Sequence, residues 1–486
     1  MSSMIKLERS ATMLAPHDWQ LLPMRFHRLD PDSMVLTNLV GEHEFVTSGE
    51  LHDVMDGTCR DQELLARLRA AHLIQVPGET LPAELLAIKL RTRMRRLPDS
   101  TGLHIFVVSL RCEHTCRYCQ VSRQSSAKQE FDMTEETAGR SLELAFRSPS
   151  PHMKIEFQGG EPLLNFPLIR WITAEAKRMN SGYGKDLAFV IATNLALLDD
   201  EILDFCAAED VHISTSLDGP RDLHNGNRRR PGQDSWQQAV AGIERVQARL
   251  GPDRVSALMT TTEASLGRAA EVIDTYADLG LRAVFLRPIS PYGFALRRRG
   301  GANYDVDRWL EFYTTGLDRI VELNRRGLPM VEVYASIIAT KMLTNSDPGY
   351  VDLTSPAGIG IGALVYNYDG DIYASDEGRM LAEMGDHTFR LGNVHDSSYA
   401  DVMLSEALLN PLSQSLTLSA PMCTTCAFEP YCGADPVFHH ATAGDFTGHK
   451  ALSAFCRRNM GVFTLLLRRM RDDPYFRDLM RRWAQC

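Results

Sequence analysis

Between Thr101 and about Ile289 the chain repeats one unit, a short apolar run followed by a helix-length segment, and this regularity leaves few ways to fold. The strand candidates are His104–Leu110, Lys154–Gln158, Phe189–Thr193, Val211–Ser216, Val255–Thr261 and Arg282–Pro288. Helical segments such as Thr134–Phe146 and Gln237–Leu250 follow them. Alternation of this kind predicts an α/β unit with a parallel sheet and a ligand site at the carboxyl ends of its strands.

Directly after the first strand candidate comes Cys112-Glu-His-Thr-Cys116-Arg-Tyr-Cys119, three thiols in eight residues. Tetrahedral zinc wants four protein ligands, which His114 would complete. Iron-sulfur clusters are held by cysteine thiolates, normally four, so three leave one iron open to a substrate. Spacing alone leaves both readings standing.

The CxxxCxxC spacing, with Tyr118 before the last cysteine, resembles the cluster loop of the radical S-adenosylmethionine (SAM) enzymes. That resemblance implies a partial (β/α)6 TIM-type barrel and a 4Fe-4S cluster on Cys112, Cys116 and Cys119 that binds SAM and cleaves it reductively. The next strands carry matching segments. Gln158-Gly159-Gly160-Glu161-Pro162 resembles the family's GGEP motif, which implies that Gly159, Gly160 and Glu161 hold the amino group of SAM; a carboxylate there can receive an ammonium. Thr193-Asn194 resembles its Thr-Asn-Gly, with Leu195 in place of the glycine, and Asn194 is expected near the ribose. Ser216-Leu-Asp218-Gly-Pro220 and Arg228 resemble the segment that holds the SAM carboxylate, a charge-assisted task suited to arginine. Asp218 is either a ligand contact or the cap of its turn. On the sixth strand Leu286 is expected against adenine, and Tyr118 is counted with the cofactor-binding residues.

Near the C-terminus, Cys423, Cys426, Cys432 and Cys456 offer four thiols, enough for a closed cluster or for zinc. Their spacing resembles the SPASM extension of radical SAM peptide maturases, which normally carries two auxiliary clusters. The ligands of the second are present; those of the first are replaced at Ala357, Ser375 and Pro436. This implies one auxiliary cluster and an opened or filled space where the other would sit. Asp376 aligns with the general base of the formylglycine-forming members and is the catalytic candidate, its alternative being a turn or cap residue.

Residues 1–97 read as a hairpin, Met34–Leu39 with His43–Thr47, and helices Glu50–Met55 and Asp61–His72. This outline is similar to the winged-helix peptide-recognition units that accompany many such enzymes. The expected division is 1–97 for this α+β unit, 98–300 for the barrel, 301–350 for a helical connector and 351–486 for the SPASM/twitch-like domain. Within the family, Leu286–Gly293, the run from Tyr373 and the single auxiliary cluster look most like the maturase of the His-Xaa-Ser peptide system.

In 486 residues, 52 Lys and Arg against 62 Asp and Glu give a net charge of −10, which argues against a general nucleic-acid or membrane-surface binder. The Arg297–Arg299 run reads as solvated loop. No apolar run approaches the ~18 residues of a membrane span, so a cytoplasmic protein is expected. Of ten cysteines seven sit at metal-like spacing, which suits a reducing compartment; Cys59, Cys206 and Cys486 read as a surface thiol, a core thiol and a chain end. The resemblance implies hydrogen abstraction from a ribosomally made peptide or protein, a partner maturase, and a reductase or flavodoxin-type electron donor. The alternatives are a formylglycine-forming Ser/Cys oxidase of the sulfatase-maturase kind and a zinc-bound, non-catalytic binding protein.

Overall fold

A computed structural model describes residues 18–293 and 304–485; the Arg297–Arg299 run and Cys486 lie outside them. After the short strand Gln20–Leu21, which pairs with Ile74–Gln75, come three antiparallel strands, Met24–Arg28 (β1), Ser33–Asn38 (β2) and His43–Thr47 (β3). Helices Ser48–Met55 and Gln62–Ala70 follow, each started by a capping side chain, Thr47 and Asp61. Cys59 is 3% exposed in the small core of this unit, so it is not a surface thiol. The turn that carries it returns both the Thr58 and Cys59 amides to Asp53 O, which draws the side chain inward.

The main sheet is built from Leu103–Ser109 (β4), His152–Gly159 (β5), Asp186–Thr193 (β6), Val211–Ser216 (β7), Val255–Thr260 (β8) and Leu286–Arg287 (β9), all parallel, each neighbour following the last in sequence. Helices cover it, so β4 is buried along nearly its whole length, which explains its unbroken apolar run. Thr134, Asp199 and Asp234 cap the helices that cross between strands, each accepting from the backbone N–H three residues on.

The alternation did not announce what lies on the other side of β4. Ala363–Tyr366 (β10) joins it in parallel, and Asp371–Tyr373 (β11) and Arg390–Asn393 (β12) continue antiparallel, giving nine strands in the order 9-8-7-6-5-4-10-11-12. Buried His104 of β4 ties this seam, with Nδ1 at 3.1 Å from the Tyr366 hydroxyl. The sheet thus runs across residue 350, and the C-terminal segment is hydrogen-bonded into the barrel. The N-terminal unit docks on the C-terminal cysteine loop: Arg25 Nη1 lies 2.9 Å from Glu429 Oε2, and the Tyr431 hydroxyl donates to Gly41 O at 2.6 Å. Among the described residues no helix is long and apolar enough to cross a membrane.

Candidate active site

At the carboxyl ends of β5 to β9 an open cleft of about 1270 Å³ collects Cys112, Cys116, Cys119, Tyr118, Gly159, Gly160, Asn194, Ser216, Arg228 and Asp376. The cysteine loop is pinned at its backbone, the Thr115 and Arg117 amides donating to Arg229 O and Asn227 O at 2.6 and 2.9 Å. Burial pushes the Cys112 thiol far up and Cys116 up to about 12, the latter against the pull of Arg228. Both are neutral thiols until a metal displaces their protons.

Gly159 and Gly160 answer to chain packing more than to a ligand. At φ +148° a Cβ on Gly159 would stand 1.9 Å from Ser109 O, and one on Gly160 2.3 Å from Arg111 O. The strand end therefore lies directly on the start of the cysteine loop, with Gly160 N donating to Ser109 O at 2.8 Å. Glu161 is placed otherwise than the motif suggests. It is fully buried behind the cleft, accepting from Thr193 Oγ1 at 2.7 Å, Asn194 N at 2.8 Å and Leu163 N at 3.0 Å. Burial and then the Glu113 charge raise it to about 7. Its carboxylate organises the end of β6.

Leu195 keeps the left-handed conformation that a glycine would take, φ +63°, at a cost of about 1–2 kcal/mol. Its side chain is 3% exposed and lies on Gly242, where a Cβ would come within 2.7 Å. Burying a leucine, worth about 1.5–3 kcal/mol, offsets the strain. Asn194 next to it donates Nδ2 to Glu113 Oε1 at 2.9 Å, linking β6 to the cysteine loop.

Asp218 also sits behind the cleft, fully buried. It accepts from the Tyr118 hydroxyl, from Asn227 Nδ2 at 3.1 Å, from Arg228 Nε at 3.1 Å and from Thr260 N at 3.3 Å. Desolvation works against the Arg228 charge, and the Asp218 carboxylate outweighs it and holds the guanidinium protonated. Arg228 lies 5.3 Å above the Tyr118 ring and lines the cleft. Leu286 is a correction: it is 0% exposed in the core under Gly316, because alternation along β9 turns it inward and sends Arg287 to the cleft.

Asp376 opens helix Asp376–Ala382, which Ser375 caps, and its Oδ1 accepts from Arg379 Nε at 3.0 Å. Glu156 and Arg287 line the same cleft and escaped the motif reading. Glu156 had a visible signal, a lone charge between Ile155 and Phe157 on a central strand. Downstream, Cys426 is raised to about 12 by burial and then by the thiols of Cys432, Cys456 and Cys423. The residues at the first site fit an open cluster and SAM. Three thiols stand beside unblocked glycine backbone, and Thr215 Oγ1, buried on the cleft wall, lacks a partner among the described residues.

The fold and cleft define an α/β enzyme with its chemistry at the carboxyl ends of a parallel sheet. Residues 106–262 match the Radical SAM superfamily, and the chain is an enzyme of the radical SAM type. A serine-type anaerobic sulfatase-maturating enzyme of Bacteroides thetaiotaomicron is 22% identical over 382 residues, 74% of this chain and 88% of that one. The structure of native anSMEcpe with bound AdoMet superposes with a TM-score of 0.63 at 18% identity, covering 79% of this chain and all of that one. Streptococcus suis SuiB bound to precursor peptide SuiA gives 0.53 at 13%, covering 90% and 100%. A purely structural zinc role for the Cys112 loop gives way to this match.

Proposed function

We propose that this protein cleaves SAM reductively and abstracts hydrogen from a ribosomally synthesised peptide or protein, installing an oxidative modification or a cross-link. The observation that carries the reading is the convergence, in one cleft, of the three loop cysteines with the Gly159-Gly160 backbone, Ser216, Arg228 and Asp376. When bound, the cluster on Cys112, Cys116 and Cys119 supplies an electron to SAM, which yields the hydrogen-abstracting radical. The chain's own groups do the rest. Gly159 and Gly160 offer peptide groups to the amino end of SAM and Asn194 faces the ribose. Ser216 and Arg228 take its carboxylate, Arg228 through the N–H groups not held by Asp218. Asp376 would receive the proton that the peptide radical loses, the electron lost with it passing to the auxiliary cluster that the C-terminal cysteines would hold.

Cys423, Cys426, Cys432 and Cys456 would hold one auxiliary 4Fe-4S cluster, a neutral-to-thiolate change that costs four protons. Residues 1–97 would guide the peptide, 98–300 form the barrel, 301–350 connect and 351–486 carry the auxiliary site. Within the family, the Leu286–Gly293 segment and the run from Tyr373 resemble HxsB, the maturase of the His-Xaa-Ser system, which would imply a partner maturase and a flavodoxin-type donor. A second reading, oxidation of a Ser or Cys to formylglycine, is favoured by the sulfatase-maturating relative, 88% of which is spanned.

Anaerobic reconstitution should give about eight irons per chain, four per cluster, and reductant with SAM should release 5'-deoxyadenosine. Replacing Cys112, Cys116 and Cys119 by Ala should abolish that release. Zinc without iron, or undiminished release by the triple variant, would end the proposal. Incubation with peptides encoded beside the gene separates the two readings, by a loss of two hydrogens outside a sulfatase-type Ser or Cys, against the loss of two hydrogens at that Ser or, at that Cys, the same loss followed by exchange of its sulfur for water oxygen with release of H2S.

A further inference from the structure

Arg287 lines a second, smaller pocket as well, which also exposes Asp352, Glu377, Asp435 and Arg458. It occupies the neighbourhood of Ser375 and Pro436, where the SPASM pattern lacks its first cluster ligands. Asp376 and Glu377 are consecutive in one helical turn, so the first carboxylate serves the SAM cleft and the second this cavity.

Its charge is unbalanced, three carboxylates against two guanidiniums. Glu377 lies 3.6 Å from Arg287, yet burial and the Asp352 and Asp376 charges raise it to about 7. Burial and Asp352 raise Asp435 to about 8, although its carboxylate caps a helix at Phe438 N. The acids prevail over the arginines at this point, and one more positive charge would relieve them.

A separate observation points to a ligand. Tyr292 is 1% exposed and lines the cavity, and its hydroxyl has no partner among the described residues. An orphaned buried hydroxyl is left desolvated without compensation, which a ligand donor or acceptor would recover. The opposite wall is aromatic: Tyr334 stacks on Phe285 at 5.8 Å and meets Tyr350 edge-on at 6.2 Å, surfaces that suit an organic cation. A divalent metal needs tightly gathered oxygens. Among the described residues the acidic or thiol trio whose ligand atoms lie within 4.8 Å of one another is Cys112, Glu113 and His114, not these three.

We propose that this cavity binds a cationic side chain of the peptide substrate, an ammonium, guanidinium or imidazolium near the residue to be modified; this rests on the peptide-modifying reading above. The probes are Nα-acetyl-lysine N-methylamide and its neutral counterpart from norleucine, titrated calorimetrically into the anaerobic holoenzyme. The lysine probe should bind saturably and the norleucine probe about tenfold more weakly, the effect of one charge-assisted contact. Binding should tighten as pH rises through about 7 to 8, and Glu377→Gln and Asp435→Asn should each weaken it about tenfold. Asp352→Asn serves should either variant fail to fold.

Equal binding of the two probes, no binding of the lysine probe, or binding indifferent to all three variants overturns the proposal. So does manganese binding that the variants abolish and the lysine probe does not displace. Neither probe requires turnover, so failure here leaves 5'-deoxyadenosine release and the peptide mass change to test the underlying function on their own.

Discussion

The Tyr118 hydroxyl donates to both carboxylate oxygens of Asp218, at 2.9 and 2.7 Å, across 100 residues of sequence. One end of this contact belongs to the cysteine loop and the other to the turn after β7. Because Asp218 also holds Arg228, a single buried carboxylate sets the cysteine loop and the cleft-lining guanidinium in one register.

Tyr118→Phe removes one hydrogen bond to a charged group, about 1.5–3 kcal/mol, and leaves Arg228 paired. SAM affinity and iron retention should fall several-fold while the protein stays folded. Asp218→Ala instead strands a mostly buried guanidinium, a loss of about 3–5 kcal/mol. Thermal melts and SAM titration should rank wild type above Tyr118→Phe above Asp218→Ala; the reverse order would detach Asp218 from this role.

Gly160→Ala puts a methyl within 2.5 Å of the carbonyl oxygens of Leu110 and Arg111, both backbone and unable to yield cheaply. Overpacking of this kind costs about 1–3 kcal/mol, and here the displaced segment is the start of the cysteine loop. Lower melting temperature should be accompanied by lower iron content. Gly49→Ala, with Thr47 Oγ1 3.9 Å away, is the control that should change neither.

Six parallel strands and the cleft at their carboxyl ends were readable because both rest on local signals, the apolar runs and the turns that end them. Ser216 and Asp376 reach the cleft for the same reason, each lying at or just past the end of a strand, whereas Arg228 is brought there by the end of the short helix Arg221–Asn227. The placement of Glu161, Asp218 and Leu286 was not readable. A motif says which residue follows a strand, but whether its carboxylate faces ligand or backbone depends on neighbours such as Thr193, Tyr118 and Arg228, far away in the chain. The joining of β10 to β4 escaped for a similar reason: Ala363–Tyr366 is four residues long, and its partner is chosen by a sheet edge 260 residues earlier. The acid-lined cavity had even less signal, since Asp352, Glu377 and Asp435 are scattered over three segments.

Glu161 predicts a pH dependence of the unloaded protein. Its carboxyl is raised from 4.5 to about 7 by burial and the Glu113 charge. The folded state therefore binds more protons than the unfolded state between those values, and stability from this group is lost as pH rises through that window. At 1.36 kcal/mol per unit the loss is on the order of 3 kcal/mol. Urea unfolding of metal-free protein at about pH 5 and pH 8 should show it. Glu161→Gln should reduce that difference by its own share, leaving what Glu377 and Asp435, raised to about 7 and about 8 by burial, contribute in the same window, while lowering stability at both, since its amide N–H2 opposes the Asn194 N–H. An unchanged slope in the variant would assign the pH dependence elsewhere.

Asp376, as the proposed base, should separate radical generation from product formation. It lines the cleft, and Arg379, 1% exposed, holds Oδ1 through Nε at 3.0 Å. Asp376→Asn preserves the side chain's shape and its acceptor oxygen, so Arg379 stays in place and the cysteine loop is untouched. Release of 5'-deoxyadenosine should remain within about threefold of wild type. Peptide product should fall by roughly 10²–10⁴, the range for loss of a positioned general base. Asp376→Glu should restore part of the product with an altered pH profile, which a residue that only caps its helix would not do. The check is 5'-deoxyadenosine by chromatography and peptide product by mass on the same reaction. Parallel loss of both would make Asp376 structural, and undiminished product would take the proton to another group, with Glu156 across the cleft the next to replace.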